Sequence, residues 1–532
     1  MTLLFLKTGR IVFALVLALA LSSSTAALAG TREALRAALA APGAVSDQVS
    51  AFYRLRDFRP AWTGSDDAVA AAHRMIDAME HAVDYGLPPT AYIPAALAAT
   101  GTPAEGDAAA RYDIALTRAV FRFAADMHTG RVLPHVAYRE AELPVFKFNY
   151  AKALNSDLER DDVDRFLQDL PPPGDQYRAL VTALSRYRTN AQGGGWPKVS
   201  GRDAGKLAAR LALEDPALAA IADPGAADIA QAILRYQQRN GLKADGMVSA
   251  ELIAALNVPV AWRIKQIVAN LERHRWLPVG RESTYIEVNV ADQSADFVRD
   301  GASVLHSRVV VGTRQTQTPI LRTTVAAVVV NPVWDIPDTI AAKKLLPRLR
   351  RQPDYLAQRN MTLAGGPAGD PHGTGIDWRH VKAGDLPYQI LQSPGADNAL
   401  GTVMLDMPND FDVYMHDTPD KALFAGAMRQ KSNGCVRVEQ ILPLASLVLT
   451  GDAQSETLTQ AIAGGTTQRL PLDKPMPVYL MYWTAIAQPD GTIGFRSDFY
   501  DRDSRLVALL FPKDSPVTAP SHSKRTTRAA AR

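Results

Sequence analysis

The stretch SNGCVRV, residues 432–438, contains the only cysteine of the 532-residue chain, Cys435. Shortly before it, the sequence YMHDTP at residues 414–419 places His416 at the end of an apolar, strand-like run. A sulfur nucleophile needs a neighbouring base that removes and returns its proton, and imidazole does this near neutral pH. Gly434 allows backbone N–H groups to point at the space where an oxyanion would form. The pattern predicts a cysteine nucleophile, Cys435, and a general base, His416.

A plainer interpretation of both residues stays open at this point. A lone cysteine is commonly a small buried hydrophobe, and a lone histidine is commonly structural. The neighbours of Cys435 favour chemistry, because Arg429, Lys431 and Arg437 surround it with positive charge in place of an apolar run. Such surroundings predict an exposed cysteine with thiolate character.

Length and composition limit the classes to which the protein can belong. The length of 532 residues predicts roughly two to four domains, and 47% hydrophobic with 21% charged residues describes folded globular material. The net charge of +3 gives no reason to expect a nucleic-acid partner. One cysteine excludes an intramolecular disulfide and any multi-cysteine zinc or iron–sulfur site, and no phosphate-binding loop occurs. We therefore expect neither a metal nor a cofactor.

The first residues have the pattern of an export signal. Lys7 and Arg10 precede an apolar run at residues 11–21, and Ala-Leu-Ala at residues 27–29 fits a cleavage site before Gly30. Residues 1–29 are thus predicted to be a signal peptide that directs the chain to the periplasm; left uncleaved, they would anchor it in the inner membrane. Oxidising compartments pair or lose cysteines, so a solitary one there favours a chemical role.

The next regions are predicted to be helical. Over residues 30–200, alanine-rich amphipathic segments alternate with Pro/Gly breaks, which is typical of a helical scaffold, and no acid pair or histidine cluster stands out. Residues 201–260 predict a small domain with helices at Ala226–Arg239 and Ala250–Leu256, the second N-capped by Ser249. Residues 261–280 predict a helical connector.

From about residue 281 the pattern of apolar residues changes from the period of a helix to that of a β-strand. Valine-rich or alternating runs predict a mostly β domain over residues 281–485. A partly helical insertion at residues 338–398 interrupts it and is either a lid or a surface excursion without a role. Residues 486–512 follow as a C-terminal extension, and residues 513–532 predict a basic, disordered tail. The predicted fold class is multidomain α+β.

The motif region resembles a known family. A histidine, a short spacer, a Ser-x-Gly-Cys sequence and an arginine two positions later look like the signature of L,D-transpeptidases with a YkuD-type catalytic domain. His416, Cys435 and Arg437 occupy those positions. Asn433 stands where the family more commonly has a histidine, so a side-chain role at that position does not carry over.

The likeness extends to the larger, YcbB-like branch of the family. The stretches that carry it are GGGWP at residues 193–197, NLER and RWLP at 270–273 and 275–278, NPVWDIP at 331–337 and GADNALG at 395–401. The run YQQRNGL at residues 236–242 resembles a small helical peptidoglycan-binding domain. The resemblance implies a scaffold domain, a peptidoglycan-binding domain, and a catalytic domain built as a YkuD-like β sandwich with a capping insertion.

The resemblance also implies the reaction. Cys435 would attack the third residue of a tetrapeptide stem, releasing D-alanine, and His416 would act as general base and acid. The side-chain amine of a second stem would then take the acyl group, giving a 3-3 cross-link in the cell wall and so contributing to wall organisation and cell shape. The oxyanion candidates are the backbone N–H groups of Gly434 and Cys435, with Asn433 beside them, and the orienting candidate is Asp417, through its carbonyl or its carboxylate. The substrate-binding candidates are Arg437, Ser432, Tyr414 and Trp334, with core packing as the plainer interpretation of Tyr414 and Trp334.

Several alternatives stay open from the sequence alone. The same acyl-enzyme would serve an outer-membrane protein, a free D-amino acid or water as acceptor, because the motif does not define the acceptor site. The chain would otherwise be a non-catalytic peptidoglycan-binding scaffold, which the intact Cys435 and His416 disfavour. A papain-like protease fits poorly, because the histidine precedes the cysteine in a mostly β region. The expected partners are peptidoglycan stem peptides, with other wall-synthesis proteins or an outer-membrane acceptor protein beside them.

Overall fold

A computed structural model describes residues 29–40, 47–93, 102–103, 105–200, 203–382, 386–449 and 452–512. The predicted signal peptide, except residue 29, and the predicted tail at 513–532 lie outside these described residues. The predicted multidomain α+β fold class is confirmed: the N-terminal region is helical and the C-terminal region is built mostly on β-sheet.

The N-terminal helices form a core of their own. They comprise residues 29–40 and the helices Asp47–Leu55, Asp66–Glu80, Gly106–Thr129, Tyr150–Leu158 and Val163–Asp169, with 3₁₀ turns at His81–Tyr85 and Pro89–Ala91. A buried carboxylate, Asp113, joins them by accepting hydrogen bonds from the Tyr53 hydroxyl at 2.8 Å and the Ala61 N–H at 2.7 Å. This satisfied network fixes how the helices pack, since an unpaired buried carboxylate would be costly.

The packing does not follow the predicted scaffold boundary at residue 200. The helices Pro134–Ala137 and Asp175–Gln192 bury their apolar faces in the core that underlies the large C-terminal sheet. The short strand β1, Ala141–Glu142, pairs in parallel with a strand of that sheet. Sequence periodicity identifies a helix but does not say which core it joins, so this division is visible only in the packed chain.

The predicted small helical domain has the expected helices. Ala226–Arg239 and Ala250–Leu256 are confirmed, and the Ser249 hydroxyl accepts the Leu252 N–H at 3.1 Å as the predicted N-cap. With Ala204–Ala212 and Pro216–Ala219 they enclose a separate small core. The connector helix Val260–Arg275 follows at once. No single helix in the described ranges has the length and composition of a membrane span, and only the bent pair Ala250–Leu256 and Val260–Arg275, at 78°, would qualify together.

The predicted β domain is organised around one large sheet. Its strands, in chain order, are β2 Thr284–Asn289, β3 Ser294–Arg299, β4 Ala302–Gly312, β5 Ile320–Val330, β9 Val403–Asp406, β10 Met415–His416, β11 Gln430–Ser432, β12 Val436–Val438 and β13 Gln468–Met481. The order of pairing is β1-β5-β13-β2-β3-β4-β12-β10-β9, and β9 also pairs with β5. The sheet therefore closes on itself. Strand β10, which contains His416, and strand β12, which follows Cys435, each have a neighbouring strand on both sides. The helices Ile441–Leu449 and Asp452–Ala463 follow the motif.

The insertion forms a subdomain with its own sheet and core. Strand β6, Trp334–Ile336, pairs with β8, Gln389–Gln392, which pairs with β7, Met361–Ala364. A helical segment, Asp338–Leu349, contains a π-helical turn at Ala341–Leu345, and a short helix follows at Tyr355–Gln358. Because β6 belongs to this sheet, the subdomain begins at Trp334, four residues before the predicted boundary.

The C-terminal extension packs against the connector helix. It contains the hairpin β14, Ala485–Ala487, with β15, Ile493–Phe495, and the helix Arg502–Leu510. Arg273 of the connector and Asp503 of the extension are both fully buried and form a salt bridge at 2.7 Å. Gln266 and Thr484 donate further hydrogen bonds to the same carboxylate at 3.1 and 2.9 Å. The salt bridge and these hydrogen bonds therefore attach the extension to the same core as the large sheet.

We predict that Asp503→Ala lowers the free energy of unfolding by about 3–5 kcal/mol, because Arg273 is left buried without its counter-charge. Thermal or chemical denaturation followed by circular dichroism measures this. Arg505→Ala, an exposed neighbour on the same helix, is the matched control and should change stability by less than about 0.5 kcal/mol. Equal stability of the two variants would contradict the role given to the buried ion pair.

Candidate active site

The two parts of the sequence motif are brought together by parallel strand pairing. In β10 and β12, Met415 lies opposite Val436 and His416 lies opposite Arg437, and the Val436 N–H donates to the Tyr414 carbonyl at 3.0 Å. Met415 and Val436 are fully buried in the core. Side chains alternate along a strand, so the residues on either side of these two project from the opposite face. That face carries Tyr414, His416, Cys435 and Arg437.

The Cys435 thiol is half-buried and protonated at rest. Burial raises the pKa of the Cys435 thiol, while Tyr414 and the Arg437 guanidinium lower it without reversing the shift. The thiol donates to the Asp412 carbonyl, with 3.7 Å between sulfur and oxygen, and no hydrogen bond joins Cys435 and His416 in the described chain. The prediction of an exposed cysteine with thiolate character is therefore wrong for the resting site, because burial outweighs the nearby positive charge.

His416 is neutral for a related reason. Burial, and then the charge of Arg437 across the strand pair, lower the pKa of His416 to about 3. The carbonyls of Asp417 and Leu400 act in the opposite direction, yet neither is aligned with Nδ1, which is buried without a hydrogen-bond partner. The resting site thus holds a neutral thiol and a neutral imidazole, and a sulfur that acts as nucleophile from this state would have to lose its proton during the attack.

The Asp417 carboxylate makes its hydrogen bonds and its ion pair with residues other than His416. Its Oδ2 accepts the N–H and the hydroxyl of Thr402, both at 3.0 Å, and its Oδ1 pairs with Lys421. Although burial opposes ionisation, these partners hold the pKa of Asp417 below its ordinary value. Of the two orienting groups that the sequence left open, the carboxylate is hydrogen-bonded to Thr402 and Lys421 and acts on the imidazole only through its charge, whereas the carbonyl faces the ring.

The loop before Cys435 is braced internally. The Ser432 hydroxyl donates to the Cys435 carbonyl at 2.6 Å and accepts the Gly434 N–H at 3.1 Å, and Ser432 itself is buried. Ser432 is therefore a loop-bracing residue, and the prediction that it binds substrate is not supported by its position. The Gly434 N–H is likewise engaged and does not serve an oxyanion. The Cys435 N–H has no hydrogen-bond partner among other described residues, and this leaves it as a candidate oxyanion donor.

Tyr414 and Trp334 lie at the site and not in the main core. Burial raises the pKa of the Tyr414 hydroxyl, the neighbouring Cys435 raises it further, and donation from Trp334 lowers it. Both residues are half-buried. The Tyr414 hydroxyl thus contacts both the sulfur and the indole, so the plainer core-packing interpretation does not describe Tyr414, whereas Trp334 also packs against the core of the insertion.

Two cations border the motif, one of which the sequence analysis missed. Arg437 has a buried Nε without a hydrogen-bond partner, and burial lowers its pKa. Lys344, on the π-helical turn of the insertion, donates to Asn433 Oδ1 at 2.6 Å. The only signal for Lys344 in the sequence is a pair of lysines in the insertion, which does not indicate contact with a distant loop.

The arrangement is that of a cysteine-dependent acyl-transfer site: a thiol, an imidazole and a free main-chain N–H on one face of a sheet. Among the described residues, no group of three or more His, Cys, Asp and Glu side chains has the geometry of a metal site.

Comparison with known families assigns the two large regions. A profile of a scaffold domain matches residues 47–184, and a profile of the L,D-transpeptidase catalytic domain, YkuD, matches residues 283–459. Together the two profiles match more than half of the chain. The chain therefore contains the scaffold domain and the YkuD-type L,D-transpeptidase catalytic domain, in that order, which confirms the resemblance predicted from the sequence.

Individual relatives agree with this assignment. A Haemophilus influenzae protein named "Putative L,D-transpeptidase" is 32% identical over 243 residues, which are 46% of this chain and 49% of that protein. The match thus spans about half of the relative's length. Crystal structures of an L,D-transpeptidase mutant from Enterococcus faecium and of an L,D-transpeptidase from Stackebrandtia nassauensis are 13% and 12% identical, with TM-scores of 0.17 and 0.20. They cover 42% and 53% of this chain, and 62% and 92% of their own. TM-scores this low support no conclusion about this chain, so the assignment depends on the two profiles and the Haemophilus relative.

We predict that the rate of Cys435 alkylation by iodoacetamide rises with pH without a plateau between about pH 5 and 8, because the resting thiol is neutral. The rate is measured by quenching the reaction at set times and determining the alkylated fraction by intact-protein mass spectrometry. The variant Cys435→Ala is the negative control. A plateau in the acid range would reveal a thiolate–imidazolium pair and would contradict the neutral resting state.

Proposed function

We propose that the chain is an exported peptidoglycan L,D-transpeptidase that forms 3-3 cross-links between stem peptides. The observation that supports this most directly is the shared sheet face of Cys435 and His416 inside the matched catalytic domain. Export to the periplasm is proposed from the sequence of residues 1–29 alone, and binding to the wall from the helical domain at residues 201–260. The substrates and the acceptor are part of the proposal.

The first half of the reaction is acylation of Cys435. Its sulfur attacks the carbonyl of the third stem residue while His416 takes the thiol proton, and the Cys435 N–H stabilises the resulting oxyanion. The C–N bond to D-alanine then breaks, and His416 returns the proton to the departing amine. The product is a thioester, which retains enough reactivity for amide formation without a nucleotide.

The second half transfers the acyl group. The side-chain amine of a second stem attacks the thioester, loses a proton to His416 and displaces the sulfur, which is reprotonated. Atoms and charge therefore balance over the cycle: one amide is broken, one is formed and one D-alanine is released.

Arg437 offers a way to couple donor binding to base strength. Its partly buried guanidinium has an unpaired Nε, which suits a carboxylate of the donor stem. The same charge depresses the pKa of His416. A carboxylate bound to Arg437 would offset that charge and raise the pKa of His416, so the imidazole becomes a better base when the donor is in place.

The insertion is proposed to be a lid and not a surface excursion. Its own sheet and core make it a rigid unit, and Lys344 reaches the residue two positions before the nucleophile. A unit that contacts the motif borders the space in which the donor must lie.

The first test is to mix residues 30–532 with purified disaccharide-tetrapeptide and identify the products by mass spectrometry. We expect a dimer that has lost one D-alanine, abolished by Cys435→Ala and reduced at least about 100-fold by His416→Ala. Circular dichroism controls for folding.

The other outcomes separate the alternatives. Tripeptide monomer alone would indicate water as acceptor, or a protein acceptor that the mixture lacks. An unchanged substrate would favour a non-catalytic peptidoglycan-binding scaffold. Products that persist in Cys435→Ala would contradict the nucleophile assignment.

We further predict that Arg437→Gln raises the KM for the tetrapeptide about 10- to 100-fold, because a charge-assisted hydrogen bond to the donor carboxylate is lost. Initial rates of D-alanine release at varied donor concentration measure it. Lys431→Gln, an exposed cation on the neighbouring strand β11, is the control and should leave KM within about twofold. An unchanged KM in Arg437→Gln would exclude the carboxylate role.

A further inference from the structure

The peptide bond between Gly434 and Cys435 is held from behind by a buried threonine. The Thr318 hydroxyl donates to the Gly434 carbonyl at 2.7 Å, and Thr318 is fully buried. In a trans peptide the C=O and N–H of one plane point in opposite directions. Fixing the carbonyl toward Thr318 therefore fixes the Cys435 N–H toward the opposite side, where the thiol lies.

Thr318 is itself fixed at every polar atom. Its Oγ1 accepts the Gly312 N–H at 2.9 Å, its N–H donates to the Tyr500 hydroxyl at 3.2 Å, and its carbonyl accepts Arg502 Nη2 at 2.9 Å. The Tyr500 hydroxyl in turn donates to the Gly312 carbonyl at 2.6 Å. A buried threonine whose polar atoms are all paired is held in one position, and removing one partner leaves another group unpaired.

Two members of this network come from the C-terminal extension. Tyr500 and Arg502 lie about 180 residues after Thr318. Both are buried, and Arg502 also stacks on the Tyr500 ring at 4.9 Å. The extension, which the sequence analysis left without a role, thus reaches the back of the motif loop.

Of the backbone N–H groups of Gly434 and Cys435, only that of Cys435 is left to face an oxyanion, so its position matters. The Gly434 N–H is occupied by Ser432, so it does not share the developing charge. Gly434 has a φ of 126°, a conformation that glycine adopts readily, so the backbone at this residue does not fix the peptide plane by itself and contacts such as that of Thr318 are needed to do so.

We infer that Thr318 is a positioning residue for the oxyanion donor, and that Tyr500 and Arg502 make the C-terminal extension part of the catalytic unit. Thr318 does not touch the reacting atoms. It acts through the orientation of one peptide plane, so its loss should slow acylation while leaving the sulfur itself reactive. The inference rests on the proposed acyl-transfer function of Cys435.

The test compares two reactions of the same sulfur in the full mature chain. Acylation by p-nitrophenyl acetate passes through an oxyanion, whereas alkylation by iodoacetamide displaces iodide and forms none. We expect Thr318→Val to slow acylation about 10- to 100-fold, since loss of one oxyanion donor costs up to about 10³. Alkylation should stay within about twofold, and Thr318→Ser, which keeps the hydroxyl, should restore acylation to within about threefold.

Tyr500→Phe provides a second variant that is further from the motif and removes one hydroxyl without changing the ring. It should give the same pattern with a smaller loss of acylation. The inference is overturned if both variants acylate at the wild-type rate, or if acylation and alkylation fall in parallel, which would indicate a general disturbance of the loop.

Release of D-alanine from the disaccharide-tetrapeptide by the same proteins separates this inference from the proposed function. If the wild type acylates with the ester but never releases D-alanine, the proposed substrate is wrong while the positioning role is still decided by the ester and iodoacetamide rates. If both substrates respond to Thr318→Val and to Thr318→Ser as above, the two proposals are supported together.

Discussion

The parallel pairing of β10 with β12 is the constraint on which the site depends. It joins two short strands that the chain delivers separately, and it sets Met415 against Val436 in the core, so that His416 and Cys435 lie on the other face. A slip of one residue would send the nucleophile into the core, because side chains alternate with a period of two. The closed sheet prevents such a slip: β9 flanks β10, β4 flanks β12, and neither motif strand is at an edge.

Burial and one cation then set the chemical state of the pair. The same desolvation that lowers the pKa of His416 raises that of Cys435, and Arg437 opposes protonation of the imidazole directly across the strand pair. A neutral thiol is a poorer nucleophile than a thiolate and also reacts more slowly with oxidants. In the oxidising compartment proposed for this chain, a solitary cysteine that stays protonated until a donor arrives would be protected without a disulfide partner.

The catalytic unit is larger than the segment that contains its motif. The helix Asp175–Gln192, the connector Val260–Arg275 and the C-terminal extension all contribute to the core beneath the sheet, and the buried Arg273–Asp503 pair joins two of them. The hydrogen bonds of Thr318 extend these contacts to Gly434, the residue before Cys435. A motif of a few residues thus depends on contacts that span most of the chain, and these contacts fix a loop whose glycine leaves the backbone freedom to move.

The sequence by itself determined the local features. The lone Cys435, the His416 at a strand end, the helices Ala226–Arg239 and Ala250–Leu256, and the family of the catalytic domain all follow from short patterns whose physics is local: capping, alternation and motif spacing. The tertiary structure alone decided the features that depend on distant partners. Burial keeps the resting thiol neutral although positive charges lie nearby. Ser432 braces the loop before Cys435, and Lys344, Thr318 and Tyr500 contact the motif or its hydrogen-bond network from distant parts of the chain. Desolvation and hydrogen-bond partners are properties of what packs around a residue, and no nearby sequence encodes them.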